Sequence, residues 1–388
     1  MTKTVVILGG AYAGVQIAHR LLKYTLPYVK DLKIILVSKD SHFYWNMASV
    51  RAIVPGIMKQ EQYTAPLANG FAQYPATAFE LIVGTAEAAN TTDKTVKVTV
   101  GADGSKRELI YDYLVVATGT STSTTGTVNM PWKNNGTHEE LMALMTETQE
   151  KVRKAKHIVV AGAGPTAIET AAELAYEYGS PKDPADKKEI VLLTPAVGLL
   201  GGDSIASNVA HELGKFRISR YMPFRITGSR PTADGKTEIQ YCGTNDEKPE
   251  TMVTDLYLPA LGLTPNTSFL PAGLLNADKF VDVDEFYRAK GAEDVWAAGD
   301  VVWKPRASFV VTDKQAAGVA KNIDAVLRGK SQTPVKTLPV DILMVTTGRE
   351  RGAGRIGPIK AFSFMVYYIK GKTLGSDKLP AWVDGSAF

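Results

Sequence analysis

The chain has 388 residues, which is too long for one ordinary hydrophobic core and fits two or three domains. Its 45% hydrophobic and 22% charged residues are typical of soluble globular proteins, and no stretch approaches the roughly 20 apolar residues of a membrane-spanning helix. The net charge is only +4, and interleaved basic and acidic residues exclude a nucleic-acid-binding stripe. The single cysteine, Cys242, excludes an internal disulfide and a redox dithiol.

The N-terminal segment predicts a βαβ unit built around a glycine-rich turn. Residues 5–8 form a strand pattern, residues 9–14 the turn, residues 15–24 a helix and residues 32–37 a second strand. Glycines let such a turn bend sharply and approach a pyrophosphate, whose charge the amides at the helix N-terminus stabilise. Because the first strand begins at Thr4, we expect no leader segment and a cytoplasmic protein.

A second copy of this unit begins at residue 158. It consists of a strand at 158–161, a turn at 162–167, a helix at 168–177 and a strand at 189–193, with a polar surface insertion at 180–188. One glycine-rich turn alone is weak evidence for a nucleotide, since such turns also occur without ligands. Two copies in register predict two homologous nucleotide-binding domains.

Both copies continue into similar β-rich segments. An Asp-Gly pair, at 103–104 in the first copy and at 234–235 in the second, predicts a hairpin turn. Each segment then ends in an apolar strand and a glycine, in YDYLVVATGT (111–120) and in TDLYLPALGL (254–263). The sequence therefore predicts antiparallel inserts in both domains.

The two turns depart from the G-x-G-x-x-G pattern of dinucleotide-binding domains. Ala11 replaces the middle glycine of the first turn, and Ala167 replaces the last glycine of the second, which the pattern allows. Ser38 and Thr194 stand where an acidic residue would bind a ribose, although Asp40 follows close behind Ser38. These substitutions alter details of the two glycine-rich turns and leave the strand–turn–helix pattern intact.

A third motif gives the chain its family resemblance. In EDVWAAGDVVWKP (293–305), an apolar strand runs into Ala-Gly-Asp, and the chain resembles flavoprotein reductases with two dinucleotide-binding folds over essentially its whole length. SHFYWNMASVRAIV (41–54), KQAAGVAKNI (314–323) and MVTTGRERGAGRI (344–356) are similar to apoptosis-inducing-factor-like reductases of the ferroptosis suppressor type, with type II NADH dehydrogenases as cousins. Residues 44–47 hold no cysteine pair, which argues against thiol-disulfide chemistry.

The resemblance implies FAD in the first domain and NADH or NADPH in the second. The residues implied for FAD are Gly9, Ala11 and Gly14 at the pyrophosphate, Ser38 and Lys39 at the adenosine, Arg51 at the flavin or its phosphates, Ala86 at the adenine, Thr118 and Gly119 at a strand end, and Asp300 at the ribityl chain. Those implied for the nicotinamide cofactor are Gly162, Gly164, Ala167, Thr194 and Gly262. Thr194 is neither acidic nor basic, so the choice between NADH and NADPH stays open.

Glu169 is the first candidate catalytic residue. It lies in the first turns of the second nucleotide helix, where the resemblance puts a carboxylate beside flavin and nicotinamide to orient the carboxamide or pass a proton. The alternative is a glutamate placed there by the helix dipole, with Glu173 four residues later as a partner on the same face.

The C-terminal stretch AFSFMVYYIKGK (361–372) supplies the second candidate, Lys370. In the family the third domain covers the flavin, and an apolar tunnel ending in one cation could bind a quinone and stabilise charge on its oxygen. The alternative is an aromatic core element, helix or strand, with Lys370 solvated. The same aromatic residues could instead rest on a membrane surface.

The histidines predict no metal site. His19, His42, His157 and His211 lack metal-ligand spacing, and His138 precedes two glutamates in a predicted helix start. No nucleophile elbow or catalytic triad is present either. The remaining chemistry therefore depends on the two cofactors.

Together these patterns predict an α/β protein with FAD- and NAD(P)-binding Rossmann-like domains, β-meander inserts and a small C-terminal α+β domain. The expected FAD domain covers residues 1–125 and 265–335, the NAD(P) domain 126–264 and the C-terminal domain 336–388. The expected activity is FAD-dependent NAD(P)H oxidation with a quinone-like acceptor. Alternatives are reduction of a small redox protein or an ascorbate-type radical, and a flavin-bound signalling protein with little turnover. The sequence does not indicate which oligomeric state the protein adopts.

Overall fold

The computed structural model describes residues 2–101, 103–122, 129–180, 183–194, 198–221, 224–243, 248–302, 308–336 and 340–388. Its strands are β1 (Lys3–Leu8), β2 (Leu32–Ser38), β3 (His42–Tyr44), β4 (Thr64–Pro66), β5 (Phe79–Asn90), β6 (Thr95–Val100), β7 (Ser105–Ile110), β8 (Tyr113–Val116), β9 (Thr120–Thr122), β10 (His157–Ala161), β11 (Glu189–Leu193), β12 (Ser219–Tyr221), β13 (Phe224–Pro231), β14 (Thr237–Gly243), β15 (Glu250–Thr254), β16 (Leu256–Pro259), β17 (Leu263–Pro265), β18 (Val295–Ala297), β19 (Ile342–Thr347), β20 (Arg351–Ile356) and β21 (Ile359–Ala361). Its α-helices are α1 (Tyr12–Arg20), α2 (Ser49–Ala52), α3 (Leu67–Phe71), α4 (His138–Lys154), α5 (Pro165–Tyr178), α6 (Ala206–Gly214), α7 (Phe309–Leu327), α8 (Ser363–Val366) and α9 (Leu379–Val383), and π-helical turns follow α1 and α8 at Leu21–Thr25 and Tyr367–Gly371.

The first sheet is built around β1. Its strand order is β18-β8-β1-β2-β5-β6-β7, with parallel pairing from β18 to β5 and antiparallel pairing beyond. Val5, Val6 and Ile7 are fully buried, as expected for a parallel strand covered on both faces. Because β18 pairs with β8, the chain returns to this sheet after forming a second one.

The second sheet repeats the arrangement with β10 at its centre. Its order is β12-β11-β10-β16, all parallel, and the antiparallel sheet β13-β14-β15 follows. In each copy the strand before the glycine turn lies between the strand after the helix and the strand that ends near a glycine. Gly104 and Gly235 have positive φ and lie in the β6–β7 and β13–β14 hairpins, as predicted. The predicted fold class is confirmed.

Both nucleotide helices begin three residues earlier than the sequence pattern predicts. The helix α1 starts at Tyr12 and passes into a π-helical turn after Arg20, while α5 starts at Pro165. The predicted starts are wrong because the last residues of each glycine turn already have helical geometry. Proline at the first position of α5 suits a helix start, since its missing N–H would have no helical acceptor there.

We propose the domain division at 1–125 with 265–335, 126–264 and 336–388, because β18 belongs to the first sheet and β16 to the second. The boundary between residues 125 and 126, residues 181–182 of the insertion and residues 303–305 of the Ala-Gly-Asp motif lie outside the described residues.

Across the described ranges, none of the helices combines the length and apolar character needed to cross a bilayer.

The C-terminal segment packs back onto the first domain through a buried histidine. A three-stranded antiparallel sheet, β19-β20-β21, is followed by α8 and α9. His19 of α1 is fully buried and stacks on Phe71, with ring centroids 4.0 Å apart. Its Nε2–H donates to Val383 O of α9 at 2.9 Å, so Nδ1 accepts from the Tyr74 hydroxyl at 2.9 Å. Burial lowers the pKa of His19 to about 4.

We expect this histidine to reduce stability as the pH falls. Unfolded His19 binds a proton near pH 6.5, whereas the folded side chain does so only near pH 4, so its stabilisation is complete above pH 6.5 and declines between these values. Lowering the pH from 7 to 5 should cost about 2 kcal/mol through this residue. Urea unfolding of the wild type and of His19→Phe at both pH values measures it. An equal pH dependence in the two proteins would contradict it.

Candidate active site

The first glycine turn forms a tightly packed cradle between β1 and α1. Gly9 has φ +116°, and a Cβ atom there would lie 2.2 Å from Ala117 O. At Gly14 a Cβ atom would lie 1.9 Å from Gly9 O, so only a hydrogen atom fits where the helix crosses the turn. Ala11 caps α1 in an extended conformation. The N–H groups of residues 12–14 have no acceptor within the helix, which suits an anion such as a pyrophosphate.

The end of β2 lies beside this cradle and carries Ser38 and Lys39, while Ala86 lies on the neighbouring strand β5. The buried Ser38 ends β2 and donates from Oγ to Asp40 O at 2.6 Å, and a Cβ atom at Gly10 would lie 2.4 Å from Ser38 Oγ. Lys39 is exposed and contacts a backbone carbonyl of the segment before α4. Ala86 lies in β5 beside a β-bulge.

The end of β8 and the Ala-Gly-Asp motif meet on the same side of the first sheet, because β8 and β18 are parallel neighbours. Thr118 donates from Oγ1 to Asn266 O at 2.7 Å, and Gly119 has φ +64°. Asp300 forms an ion pair with Lys133, with Oδ2 and Nζ 2.5 Å apart. No sequence motif surrounds Lys133, and 167 residues separate the two. The carboxylate that the resemblance assigns to the ribityl chain therefore has a cation beside it.

The second cradle has the same design with one open position. Gly162 has φ +137°, and a Cβ atom there would lie 2.6 Å from Ala260 O. Ala167 is fully buried in α5 and fills the place of the third glycine. Gly164 is the N-cap of α5, and a Cβ atom there would meet no atom within 4 Å. Thr194 follows β11 and is buried, while Gly262, with φ +47°, follows β16.

Replacing Gly164 with valine should weaken binding of the nicotinamide cofactor without disturbing the fold. The added methyl groups would occupy the open space at the N-terminus of α5, where the pyrophosphate would approach. We expect the KM for NAD(P)H to rise about tenfold, equivalent to about 1.4 kcal/mol. Gly273→Val is a matched control, since a Cβ atom at Gly273 also meets nothing within 4 Å. Equal KM values for both variants would show that this turn does not bind the cofactor.

The two candidate catalytic residues meet. Lys370, in the π-helical turn after α8, donates from Nζ to Glu169 Oε1 at 2.5 Å and to Met344 O at 3.1 Å. Glu169 Oε1 also accepts the backbone N–H of Thr346 at 2.8 Å. Glu169 is buried, and the contact joins α5 of the second nucleotide domain to the C-terminal segment. The alternative in which Lys370 is solvated is wrong.

Glu173, one turn further along α5, is fully buried between two arginines. Arg51 of α2 donates to Glu173 Oε1 from Nε at 2.8 Å and from Nη2 at 2.7 Å, and Arg349 Nε lies 3.2 Å from Oε2. Arg51 also donates to the carbonyls of Gly371 and Lys372, next to Lys370. A flavin contact stays a prediction for Arg51, because its described partners are a carboxylate and the backbone of the C-terminal segment.

Five aromatic side chains pack against one another beside the first cradle. The Tyr12 ring centroid lies 5.1 Å from that of Phe43, 5.2 Å from Trp45, 5.6 Å from Phe309 and 6.0 Å from Trp382. Burial raises the pKa of the Tyr12 hydroxyl well above its usual range. Because these residues come from four separated segments, no local motif predicts this aromatic cluster.

The aromatic C-terminal stretch is mostly exposed. The exposed fractions are 70% for Phe362, 61% for Phe364, 71% for Tyr368 and 54% for Ile369, whereas Val366 is fully buried. The alternative of an aromatic core element is therefore wrong for these four residues. They form an apolar surface on the segment that carries Lys370.

Two of the histidines meet despite their separation in the sequence. The rings of His42 and His138 stack with centroids 3.6 Å apart, and Asp40 lies beside them. Burial raises the pKa of the Asp40 carboxyl to about 6. The pKa of His42 is lowered by burial and by His138, and that of His138 by burial. The sequence spacing gives no hint of this cluster.

Comparison with known proteins supports, along most of the chain, the family that the sequence motifs predict. Residues 3–322 match the profile of the family described as pyridine nucleotide-disulphide oxidoreductase. The oxidoreductase ptaL of Pestalotiopsis fici is 38% identical over 391 residues, which cover 99% of each chain. Ferroptosis suppressor protein 1 of Xenopus tropicalis is 23% identical, covering 95% of this chain and 93% of its own. The predicted resemblance is thus confirmed.

Among solved structures, the sulfide:quinone oxidoreductase of Aquifex aeolicus superposes with a TM-score of 0.77 at 19% identity. The match covers 99% of this chain and 92% of that one. At this identity the match supports the fold, including the C-terminal segment beyond residue 322.

Proposed function

Because the chain belongs to the pyridine nucleotide-disulphide oxidoreductase family, we propose that it is an FAD-dependent enzyme that oxidises NADH or NADPH and reduces a quinone-like acceptor. The observation that carries the proposal is the partly buried contact between Glu169 and Lys370. It joins the helix of the proposed nicotinamide domain to the C-terminal segment, where an acceptor would meet the flavin. Cys242 is the only cysteine, so a redox dithiol within the chain is not available for the chemistry.

The first cradle fits FAD. Gly9 and Gly14 leave no space for side chains but expose helix amides to a pyrophosphate, and Asp300 offers a carboxylate to ribityl hydroxyls. Lys133 would either move aside or help to hold the bound group. Tyr12 begins α1 at this cradle, where its ring packs edge-on against the buried Trp45. Bound FAD would accept a hydride from the nicotinamide and release electrons to the acceptor.

Glu169 and Lys370 would have separate roles in this reaction, one in orienting the substrate or holding a proton and the other in stabilising charge. Glu169 accepts from Lys370 and from Thr346 N, so its carboxylate is fixed in position to orient a carboxamide or hold a proton. The Lys370 ammonium would stabilise negative charge that develops on the acceptor oxygen. The Thr346 and Thr347 hydroxyls are buried without hydrogen-bond partners in the described part of the chain, so they could bind polar atoms of either substrate.

Two features support a quinone-like acceptor. Phe362, Phe364, Tyr368 and Ile369 present an apolar surface beside Lys370, which suits an apolar ring or a lipid tail. The Lys370 ammonium beside this surface would stabilise negative charge on a quinone oxygen. We also propose that the protein is cytoplasmic and that this surface makes peripheral membrane contact, where lipid quinones reside.

Anaerobic titration of the purified protein after reconstitution with FAD tests the proposal. We expect NADH or NADPH to bleach the flavin and a short-chain quinone to restore its colour at a rate that matches turnover. Comparing NADH with NADPH shows which cofactor the domain around Thr194 accepts. A colourless protein that refuses flavin on reconstitution would overturn the proposal. If a ferredoxin-type protein or an ascorbate-type radical reoxidises the flavin faster than the quinone does, that compound is the acceptor instead of a quinone. Slow reoxidation by all three would favour the signalling alternative.

A further inference from the structure

A cavity of about 710 Å³ opens between two helices of the first domain. Its walls are the end of α1 with the π-helical turn that follows, the helix α7, and residues 333–336. The volume lies within the range of about 300–1,000 Å³ that is usual for small-molecule sites. None of the described residues that line it belongs to the sets assigned above to FAD, the nicotinamide cofactor or the acceptor.

The floor of this cavity is a face of α7 that carries small residues. Ala317, Gly318 and Ala320 line it. Val335 crosses the helix at Gly318, where a Cβ atom would lie 2.4 Å from Val335 Cγ1, so the crossing segment forms a close wall. Tyr24 of the π-helical turn lines the cavity as well. The cavity therefore suits a ligand with an apolar or flat body.

Arg20, the last residue of α1, indicates that the ligand is an anion. Its side chain is half-buried in the lining, and its Nε is buried without a hydrogen-bond partner among the described residues. Its Cζ lies 5.7 Å from the centroid of the Phe388 ring, and it has no carboxylate partner in the described ion pairs. The other arginines that are buried or half-buried in the described ranges all have one, namely Arg51, Arg288, Arg328, Arg349 and Arg355. A half-buried charge without a counter-ion costs free energy, so an anion beside Arg20 would stabilise it.

Three lysines add to the positive charge of the cavity. Lys314, Lys321 and Lys336 line it together with Arg20, and Asp324 is the acidic residue of the described lining, so the lining carries a net charge of +3. Lys321 and Lys336 are exposed and take part in none of the described ion pairs, while Lys314 lies 3.5 Å from the neighbouring aspartate. A guanidinium with several ammonium groups nearby suits a phosphate dianion better than a single negative charge.

Asp324 supplies an acceptor at the other end of the cavity. Gln16 Nε2 donates to Asp313 Oδ1 at 3.0 Å, and α1 and α7 run in the same direction, so Arg20 lies level with Ala317 one turn later. Asp324 follows about 10 Å further along α7. Its Oδ1 is buried and has no hydrogen-bond partner in the described part of the chain, while Oδ2 pairs with the arginine one turn later at 3.5 Å.

We propose that this cavity binds an organic phosphate of nucleotide size. Arg20 and the three lysines would bind the phosphate, and the small residues of α7 would cover a flat body. Asp324 Oδ1 would accept a hydrogen bond from a hydroxyl or amino group of the ligand. Because the cavity is separate from both glycine turns, it would hold this ligand while FAD and the nicotinamide cofactor are bound.

Isothermal titration calorimetry of the full chain with adenosine 5′-monophosphate (AMP) tests the proposal. FAD is bound beforehand and NAD⁺ is kept in excess, so that AMP does not occupy either glycine turn. We expect one equivalent of AMP to bind, and inorganic phosphate and adenosine each to bind at least about tenfold more weakly. Arg20→Met should weaken AMP binding at least about tenfold, since hydrogen bonds to charged groups contribute about 10- to 100-fold. The control is Lys330→Met, which removes the charge of an exposed lysine after α7, outside the described lining.

Lys321→Met is a second variant with the same expected direction, because its exposed side chain can be removed without disturbing the packing of α1. Circular dichroism confirms that each variant is folded. The proposal is overturned if neither AMP nor 1-naphthyl phosphate, which carries the dianion on an apolar ring system, binds stoichiometrically. It is equally overturned if inorganic phosphate binds as tightly as both, or if the folded variants Arg20→Met and Lys321→Met bind AMP as tightly as Lys330→Met. Neither outcome depends on catalytic activity.

Discussion

Replacing Glu169 with glutamine will slow flavin reduction by NAD(P)H about 100-fold while FAD stays bound, since positioned proton-transfer groups contribute about 10²–10⁴-fold to rates. The substitution keeps the shape of the side chain and can keep the bond from Thr346 N. It removes the negative charge beside the Lys370 ammonium, whose partners would then be neutral oxygens only, those of the new amide and of Met344. Stopped-flow absorbance at the flavin band measures the effect.

The companion variant Lys370→Met separates the two halves of the reaction. If Lys370 stabilises charge on the acceptor, its loss should slow reoxidation by quinone about 100-fold and slow reduction by NAD(P)H much less. Lys372→Met is the matched control, because Lys372 is exposed and takes part in the described contacts through its backbone alone. Unchanged reduction rates in Glu169→Gln would remove this carboxylate from the mechanism.

Much of the fold follows from local sequence signals. Strand, glycine turn and helix are adjacent in the chain, so the two copies at residues 5–37 and 158–193 reveal the nucleotide-binding cradles directly. The pairing of β18 with β8, which brings the Ala-Gly-Asp motif back to the first sheet, is a long-range contact. Only the family resemblance predicts it from the sequence. The errors at the helix starts arose because the last three residues of each turn, 12–14 and 165–167, already belong to the helix.

The candidate site is less predictable because its contacts join distant segments. Glu169 and Lys370 are 201 residues apart, and only resemblance to a family suggests that they serve the same chemistry. Lys133 beside Asp300 and the cluster around His138 have no motif at all. The sequence left the exposure of Phe362 and Phe364 open, since an irregular aromatic run suits a core as well as a surface.

The largest stability effect should come from Glu173. Its carboxylate is fully buried and accepts from both Arg51 and Arg349, while Arg51 is itself buried. Glu173→Gln would leave the Arg51 charge in the interior without its counter-ion. Breaking a buried pair in this way costs about 3–5 kcal/mol, so we expect the free energy of unfolding to fall by that amount.

Chemical denaturation of wild type and Glu173→Gln measures this loss, with Glu147→Gln as the control. Glu147 pairs with Lys151 on the surface of α4, where both side chains are more than half exposed, and its loss should change stability by at most about 0.5 kcal/mol. Arg51 also holds the carbonyls of Gly371 and Lys372, so loosening it should expose the C-terminal segment to proteolysis before global unfolding. Equal stability losses in the two variants would mean that the buried carboxylate does not stabilise the junction of α2, α5 and the C-terminal segment.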